Sequence, residues 1–150
     1  MSKERHPAEL LFTESHPLTA ALNMTFLPES KDILRVELDA PSSFTDPKGD
    51  RIHTGFNTLL LDTVLGSCAI GHLEKLQPIA TIKLSCNHLR HIGLDEPLAC
   101  IATWTGEQNE VSYVTGEIIN RESGEQISHA IGTFMIGTAS RPLTEKQGGN

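Results

Sequence analysis

The residue best suited to do chemistry is Asp62, the one ionised side chain between Thr54 and Gly71. Most of its sequence neighbours are apolar or small. An unpaired carboxylate in apolar surroundings costs several kcal/mol, so its presence there calls for a compensating role. It can activate a water as a general base or attack an electrophile directly, and the sequence leaves both routes open. The alternative is a structural carboxylate that accepts a hydrogen bond from Thr58 or from a neighbouring strand.

The element that must position Asp62 is a long helix predicted over the stretch from His53 to Leu73. Its apolar residues cover most of the way round a helix: Phe56, Leu59, Leu60, Leu61, Val64, Leu65, Cys68, Ala69, Ile70 and Leu73. A helix that is apolar all round is buried, so we expect other elements to enclose it. The stretch is too short and too interrupted to be a membrane span, which needs about 20 apolar residues.

Alternating patterns predict strands on both sides of this helix. Before it lie a run from Leu22 to Leu27, a strand from Ile33 to Ala40 and a surface loop from Pro41 to Arg51. After it come four more strands: Ile79 to Arg90, Leu98 to Thr105, Val111 to Asn120 and Gln126 to Ile136. Short polar turns between consecutive strands predict an antiparallel meander. Small residues on one face would let the helix lie close: Ala99, Gly116, Ala130 and Gly132.

These elements predict an α+β fold, a long central helix wrapped by a curved antiparallel sheet of about five to six strands. That shape is the hotdog fold. We interpret residues 1–150 as a single domain. Residues 1–17 would form an N-terminal helical extension, with a short helix from Ala8 to Ser15, and residues 140–150 a flexible tail.

Composition excludes several classes of protein. The 150-residue chain carries a net charge of −7, which argues against an extended nucleic-acid surface. Its three cysteines fall in apolar segments without CxxC spacing, as is typical of a reducing compartment. The N-terminus lacks an apolar signal core, so we expect a cytoplasmic protein without membrane contact. The histidines show no metal-ligand spacing, and we predict no metal site.

The ordered motifs resemble the acyl-CoA thioesterases of the hotdog superfamily, specifically the phenylacetate-pathway (PaaI-like) branch. The resemblance covers residues 22–137. It begins at His53-Thr54-Gly55, where the family usually shows His-Gly-Gly, and continues with Asp62. Further on, Asn87-His88-Leu89-Arg90 is similar to the family's third-strand ending Asn-x-Leu-Arg, and the last matching motif is His129-Ala130-Ile131-Gly132-Thr133-Phe134. Two positions depart from the family pattern. Thr54 replaces the first glycine, and Pro47 stands where an asparagine is common, with Asp46 as the nearest polar substitute.

The resemblance implies hydrolysis of an acyl-CoA thioester with no separate cofactor, coenzyme A being part of the substrate. Backbone amides of Thr54 and Gly55, at the positive end of the helix dipole, would hold the developing oxyanion. Asp62 would serve as base or nucleophile. His53 either takes part in the chemistry or only holds the backbone at the start of the helix.

The spacing of these groups predicts a shared site. Thr54 and Asp62 are eight positions apart, which separates them by roughly 12 Å along a helix. An aspartate cannot bridge that gap to attack the carbon whose oxygen Thr54 holds. We therefore expect a homodimer in which Asp62 of one chain faces the helix N-terminus of the other. A dimer of such dimers stays open.

Further residues are candidates for contacts with the substrate. Arg90 and His91 end a strand at a loop and could bind coenzyme A phosphates, or could simply be solvated. Phe56 and Asn57, in the first helical turn, could shape the acyl pocket. Asp46 and Asn87 are the remaining candidates for substrate contacts. The alternative for Asn87, a polar residue in a strand, is a hydrogen bond to a neighbouring backbone group.

Two other functions remain open at this point. A non-catalytic module that binds acyl-CoA is the first alternative, because Thr54 and Pro47 depart from the family pattern. A hotdog hydratase or dehydratase is the second, although it would be expected to show a differently placed His with Glu or Asp. Cys86 beside His88 is a weaker candidate nucleophile, since a thiol in the middle of an apolar strand is usually inert.

Overall fold

The computed structural model describes residue 7 and residues 17–138. Within these residues the helices are α1 (Pro17–Leu22) and α2 (Gly55–Gly71), with a short 3₁₀ helix at Ser42–Phe44. The strands are β1 (Thr25–Pro28), β2 (Ile33–Asp39), β3 (Ile79–His88), β4 (Pro97–Gln108), β5 (Val111–Asn120) and β6 (Gln126–Ile136). The predicted helix from Ala8 to Ser15 and the predicted tail 140–150 lie outside the described residues.

The predicted central helix is confirmed as α2. It begins after Thr54, whose φ of −59° and ψ of −23° are already helical. It ends at Gly71, and His72 is its C-cap residue. Threonine therefore fits where the family usually has glycine, because no positive φ is required there. The Thr54 side chain makes no capping hydrogen bond, and the Asn57 N–H donates to the Thr54 carbonyl at 3.0 Å.

The six strands form one antiparallel sheet in the order β1-β2-β4-β5-β6-β3. Only β4, β5 and β6 form a meander, so the predicted pairing of β3 with β4 is wrong. The chain leaves β3 at one edge of the sheet and crosses to the centre, where β4 pairs with β2. Local turn signals do not reveal this crossover, because β6, the partner of β3, and β2, one of the two partners of β4, lie far from them in the sequence.

Two predicted boundaries also change. Leu22 ends α1, and the first strand begins only at Thr25. Strand β4 extends to Gln108 because the turn that follows has two residues, Asn109 and Glu110, with φ values of 52° and 61°. Positive φ at both central positions gives a tight hairpin turn that matches the twist of the flanking strands. The predicted five-residue turn is therefore too long.

Small residues bring the helix onto the sheet, as predicted. A methyl group on Gly116 would overlap the Leu65 side chain, and one on Gly132 would come within 3.1 Å of it. Leu65 is fully buried in the core that α2 forms with the sheet. Gly116 is therefore required by the close approach of Leu65, and Gly132 by the approach of both Leu65 and Phe134, whose ring lies 2.7 Å from the position of the added methyl group.

Strand β3 carries a bulge at Ile82. Thr81 pairs with Phe134 and Lys83 with Thr133, which leaves Ile82 as an extra residue without a partner. A bulge changes the alternation of side chains along a strand. As a result Thr81 and Leu84, three positions apart, pair with Phe134 and Gly132, both of which pack beside the helix.

Candidate active site

Asp62 lies on the one stripe of α2 that other elements leave partly open. The residues of α2 that are not fully buried are Gly55, Thr58, Leu59, Asp62, Thr63 and Gly71. The predicted complete enclosure of the helix is thus wrong for the single chain. The reason is topological, because β3, which lies beside this stripe, is an edge strand with many exposed side chains.

The carboxylate of Asp62 is half-buried and has a partner. The Thr81 hydroxyl on β3 donates a hydrogen bond of 2.8 Å to Asp62 Oδ1. Among the described residues nothing donates to Oδ2, so this oxygen is available to a water or a substrate. The bond to a neighbouring strand orients the carboxylate and is compatible with either a structural or a chemical role.

Asp62 opens onto a pocket of about 380 Å³ that runs along α2. Its lining residues are Leu18, Leu59, Asp62, Thr63, Gly66, Ser67, Ile70, Ile79, Thr81 and Phe134. This volume falls within the range of about 300–1,000 Å³ that is typical of small-molecule sites. A carboxylate at the wall of an otherwise largely apolar pocket is an arrangement suited to general-base or nucleophilic chemistry.

A row of polar contacts beside Asp62 was not anticipated. His88 Nε2 lies 3.2 Å from the Thr58 hydroxyl, and His88 Nδ1 lies 3.0 Å from the Ser128 hydroxyl. Ser128 in turn accepts a hydrogen bond of 2.8 Å from the Asn57 amide. The only sequence signal for this row is the spacing of Thr58 one helical turn before Asp62. The strand partners lie 30 to 71 positions away.

Cys86 lies in the same region but is poorly suited to be a nucleophile. Partial burial raises the pKa of the Cys86 thiol, and the negative charge of Asp62 raises it further, against a lowering by the Thr58 hydroxyl. A raised pKa keeps the group as the unreactive thiol rather than the thiolate. This disfavours the alternative in which Cys86 attacks a substrate.

At the start of α2 the two predicted oxyanion donors differ in their hydrogen bonding. The Gly55 N–H donates to His53 Nδ1 at 3.0 Å, so this amide is already engaged within the chain. The Thr54 N–H makes no hydrogen bond with any described residue. The prediction that both amides are free is therefore wrong for Gly55, because the exposed imidazole of His53 folds back over the helix start. This contact favours the reading of His53 as a residue that holds the backbone.

Asp46 stabilises the loop in which it lies. Its carboxylate accepts hydrogen bonds from Arg51 Nε at 3.1 Å and from the Gly49 N–H at 2.9 Å. Burial raises the pKa of Asp46, but the bonds from Arg51 and the backbone outweigh it, so the pKa lies below its ordinary value. Its carboxylate is thus occupied in stabilising the turn, which does not support a substrate contact.

Phe56 and Asn57 point into the core of the subunit rather than into the pocket beside Asp62. Phe56 is 1% exposed and packs on Phe44, with ring centroids 5.1 Å apart. Asn57 is fully buried and is held by Ser128 through its amide nitrogen, while its Oδ1 has no hydrogen-bond partner. The expectation that these two side chains shape the acyl pocket is not met in the single chain, because they lie on the packed side of the helix.

The predicted coenzyme A contacts at the end of β3 are also placed differently. Arg90 is paired with Glu96 at 2.6 Å and with Glu125 at 3.1 Å, and the hydrogen bond that it donates to Glu96 raises the pKa of its guanidinium. Two carboxylates around one cation leave no net positive charge for a phosphate, so this pairing does not support a phosphate contact at Arg90. His91 is exposed.

Asn87 faces away from the pocket. Its amide lies 3.0 Å from His129 Nε2 on the neighbouring strand. Side chains alternate along a strand, and the flanking His88 faces the helix, so Asn87 lies on the opposite face of the sheet. Within the chain it therefore does not line the pocket beside Asp62, and its contact with a substrate stays a prediction.

Among the described residues, no group of three or more His, Cys, Asp or Glu side chains is arranged to hold a metal ion. No described helix combines the length and the apolar character that crossing a membrane requires.

Comparison with solved structures shows the fold. The chain is similar to the PaaI protein from the phenylacetic acid degradation operon of E. coli, with a TM-score of 0.76, 13% identity and coverage of 87% of this chain and 91% of that chain. A thioesterase family protein from Silicibacter pomeroyi gives a TM-score of 0.75, 17% identity and coverage of 87% and 95%. A hypothetical thioesterase from Streptococcus pneumoniae, solved with coenzyme A, gives 0.69, 19% and coverage of 82% and 92%.

These similarities confirm the predicted α+β hotdog fold. The search of curated proteins found no match. The sequence profile of the Thioesterase superfamily matches residues 49–127, which is more than half of the chain and includes α2, β3, β4 and β5. The match spans Asp62, Thr81 and the start of the helix, and the chain belongs to the Thioesterase superfamily.

Proposed function

We propose that this protein is an acyl-CoA thioesterase that hydrolyses a thioester to a carboxylic acid and free coenzyme A. The observation that carries the proposal is the half-buried carboxylate of Asp62, oriented by Thr81 at the wall of a pocket, in a chain of the Thioesterase superfamily. The similar S. pneumoniae protein was solved with coenzyme A, which supports coenzyme A as the carrier of the acyl group here. The reaction needs water as its only co-substrate, and we expect it to take place in the cytoplasm.

The chemistry requires one oxygen of Asp62 to face the reacting carbon. In the general-base route, Oδ2 takes a proton from water while the water oxygen bonds to the thioester carbon. The carbon–sulfur bond then breaks, and the coenzyme A thiolate takes up a proton. In the nucleophilic route, Oδ2 bonds to the carbon first, the carbon–sulfur bond breaks, and coenzyme A leaves as a thiolate that takes up a proton. Water then hydrolyses the resulting anhydride. Thr81 has the same role in both routes, because it holds Oδ1 and thereby aims Oδ2.

The oxyanion donor in this proposal comes from a second copy of the chain. Thr54 lies eight positions before Asp62 on the same helix, roughly 12 Å away. Its free N–H is therefore too far from the carboxylate of its own chain to serve the same thioester. The edge strand β3 carries Ile82, exposed by 52%, and is followed directly by Leu89, exposed by 56%; together they offer a surface through which two chains can join. We propose a homodimer with Asp62 near the helix N-terminus of the partner, and a dimer of dimers is compatible with it.

Release of free thiol from a panel of aryl and fatty acyl-CoA substrates tests the reaction. Asp62→Asn keeps the shape of the side chain and should lower kcat/KM on the order of 100–10,000-fold. Asp95→Asn is the matched control, because Asp95 is exposed and its φ of 55° suits asparagine. Thiol release by Asp62→Asn equal to that of the control would remove Asp62 from the mechanism.

A mixed dimer tests the shared site. Thr54→Pro removes the free N–H, and the φ of −59° at this position suits proline. Thr54→Ala is its control, because it keeps the N–H. Each of Asp62→Asn and Thr54→Pro should inactivate its own homodimer, whereas the mixed dimer should regain one working site. Failure of the mixed dimer to exceed both homodimers would contradict sharing between subunits.

A non-catalytic module that binds acyl-CoA is the second candidate. The observation that favours it is the engagement of the Gly55 N–H by His53, which leaves one amide fewer to stabilise an oxyanion. A binding module would show a rise in melting temperature with acyl-CoA and no thiol release by the wild-type chain. Turnover that depends on Asp62 would exclude it.

A further inference from the structure

Gly66 lies one helical turn after Asp62 on α2, is buried, and lines the pocket into which the carboxylate opens. We infer that Gly66 sets the size of the acyl group, and that the space beside it accepts an uncharged apolar or aryl acyl group. This inference rests on the proposed thioesterase function and adds to it a substrate class and a specificity-determining residue.

The fold itself does not require a glycine at position 66. A methyl group there would lie 3.5 Å from Phe134 Cε1 and 3.6 Å from Ile79 Cδ1, which are ordinary van der Waals distances. By contrast, a methyl group on Gly116 would overlap Leu65. Glycine in the interior of a helix is less stable than alanine. The structure therefore carries a destabilising residue at a position where alanine would fit, and what the glycine leaves is room for one methyl group at the wall of the pocket, beside Phe134 and Ile79.

The position of that space determines what can fill it. Residues at i and i+4 of a helix lie one above the other on the same face, so a side chain at position 66 would stand beside the Asp62 carboxylate. A carbonyl carbon within reach of Asp62 Oδ2 would extend its acyl chain along the helix, past Gly66 and toward Ile70. Each added methyl group at position 66 would then compete with the atoms of the acyl chain.

The lining indicates the chemistry of the acyl group. The walls around Gly66 are formed by Leu59, Ile70, Ile79 and Phe134. The hydroxyl of Ser67 donates to the Thr63 carbonyl at 2.7 Å and is therefore already paired. None of the described lining residues is basic, and Asp62 is negatively charged. An acyl group that ends in a second carboxylate would be unpaired there and repelled, because burying a charge without a partner is costly.

The first experiment compares Gly66→Ala with Gly106→Ala, a matched control at a strand position with open space around it. Acetyl-, butyryl-, octanoyl- and phenylacetyl-CoA serve as substrates. Gly66→Ala should lower kcat/KM at least about tenfold for the two large acyl groups and less than about twofold for acetyl-CoA. Its melting temperature should be at least that of the wild type. In the wild type, succinyl-CoA should react at least about 100-fold more slowly than butyryl-CoA.

The second experiment separates this inference from the proposed function. S-alkyl thioethers of coenzyme A cannot be hydrolysed, and their binding is measured by the shift in melting temperature. If the wild type hydrolyses thioesters and Gly66→Ala keeps the same chain-length profile as Gly106→Ala, the assignment of Gly66 is overturned and the thioesterase stands. If nothing is hydrolysed but thioether binding depends on chain length and on Gly66, the pocket stands and the thioesterase falls. Neither hydrolysis nor thioether binding would overturn both.

Discussion

The two faces of the central helix α2 have different roles. On one face Leu60, Leu61, Val64 and Leu65 are fully buried against the sheet. On the other, Asp62 is half-buried and faces β3 across a pocket. One helix thus carries the residues that hold the fold together and the residue best suited to catalysis, separated by about half a turn. Substitutions on the two faces should therefore be separable, one set acting on stability and the other on rate.

The largest effect on stability is expected on the packed face. Leu65→Ala should lower the free energy of unfolding by about 2–5 kcal/mol, because it removes a buried side chain and leaves a cavity. Unfolding in urea measures this loss, and kcat per folded molecule should stay within about threefold of the wild type. A specific loss of kcat in the folded fraction would break the division between the two faces.

A smaller loss is expected where the sheet approaches the same leucine. Gly116→Ala should cost about 1–3 kcal/mol, because the new methyl group would overlap Leu65 and the core must shift. Gly66→Ala provides the contrast, since a methyl group there meets Phe134 and Ile79 at ordinary contact distances and should not lower the melting temperature. Equal melting temperatures for the two variants would show that the packed face is less tightly packed than the structure indicates.

On the open face the next effect concerns rate. Thr81→Val keeps the shape of the side chain but removes the hydroxyl that donates to Asp62 Oδ1. Hydrogen bonds to charged groups are worth about 1.5–3 kcal/mol, so kcat should fall by roughly ten- to a hundredfold. Thr105→Val, at an exposed threonine on β4, is the control. If kcat is unchanged while stability falls, Thr81 belongs with the scaffold.

The smallest effect concerns the ion pair of Arg90, which we assign to the scaffold. Burial raises the pKa of Glu96, but hydrogen bonds from Arg90, Asn120 and the Gly93 backbone outweigh it and hold the pKa at about 2, below its ordinary value of 4.5. Because the folded-state pKa is depressed, the stabilisation is complete above pH 4.5 and is lost as the pH falls toward about 2.

Glu96→Gln should remove this pH dependence. Denaturant unfolding between pH 6 and pH 3 should show the wild type losing about 1 kcal/mol more than the variant, after screening by solvent. Arg90→Gln should also lower the free energy of unfolding, and it should leave the KM for acyl-CoA within about twofold of the wild-type value. A large rise in KM would show that Arg90 contacts a phosphate of the substrate and does not only stabilise the fold.

The sequence predicts well what depends on neighbours along the chain. The apolar run around Asp62 predicts α2, and the alternation from Ile33 to Ala40 predicts β2 almost to the residue. The small residues Gly116 and Gly132 predict the close approach of the helix. Each of these patterns reflects burial of one face, which local periodicity encodes.

What it does not predict are contacts made across the sheet. His88 reaches Thr58 and Ser128, and neither partner is near it in the sequence. The sequence leaves Arg90 open as a phosphate contact or a solvated residue, because Glu96 and Glu125 approach it only through the fold. The position of His53 over the Gly55 amide depends on a side-chain rotation that no pattern encodes. Pairing of strands and pairing of charges are both long-range, and a single sequence leaves them undetermined.

The extra residue at Ile82 has a consequence for how this chain can change in length. Thr81 and Leu84 are three positions apart on β3, whereas their partners Phe134 and Gly132 are two positions apart on β6. Deleting Ile82 would therefore leave a regular strand in which Thr81 and Leu84 keep their side of the sheet, because side chains alternate with a period of two. Deleting Ser85 with the bulge kept would instead turn Cys86 and His88 away from the helix. A one-residue deletion should thus be better tolerated at the bulge than three positions after it.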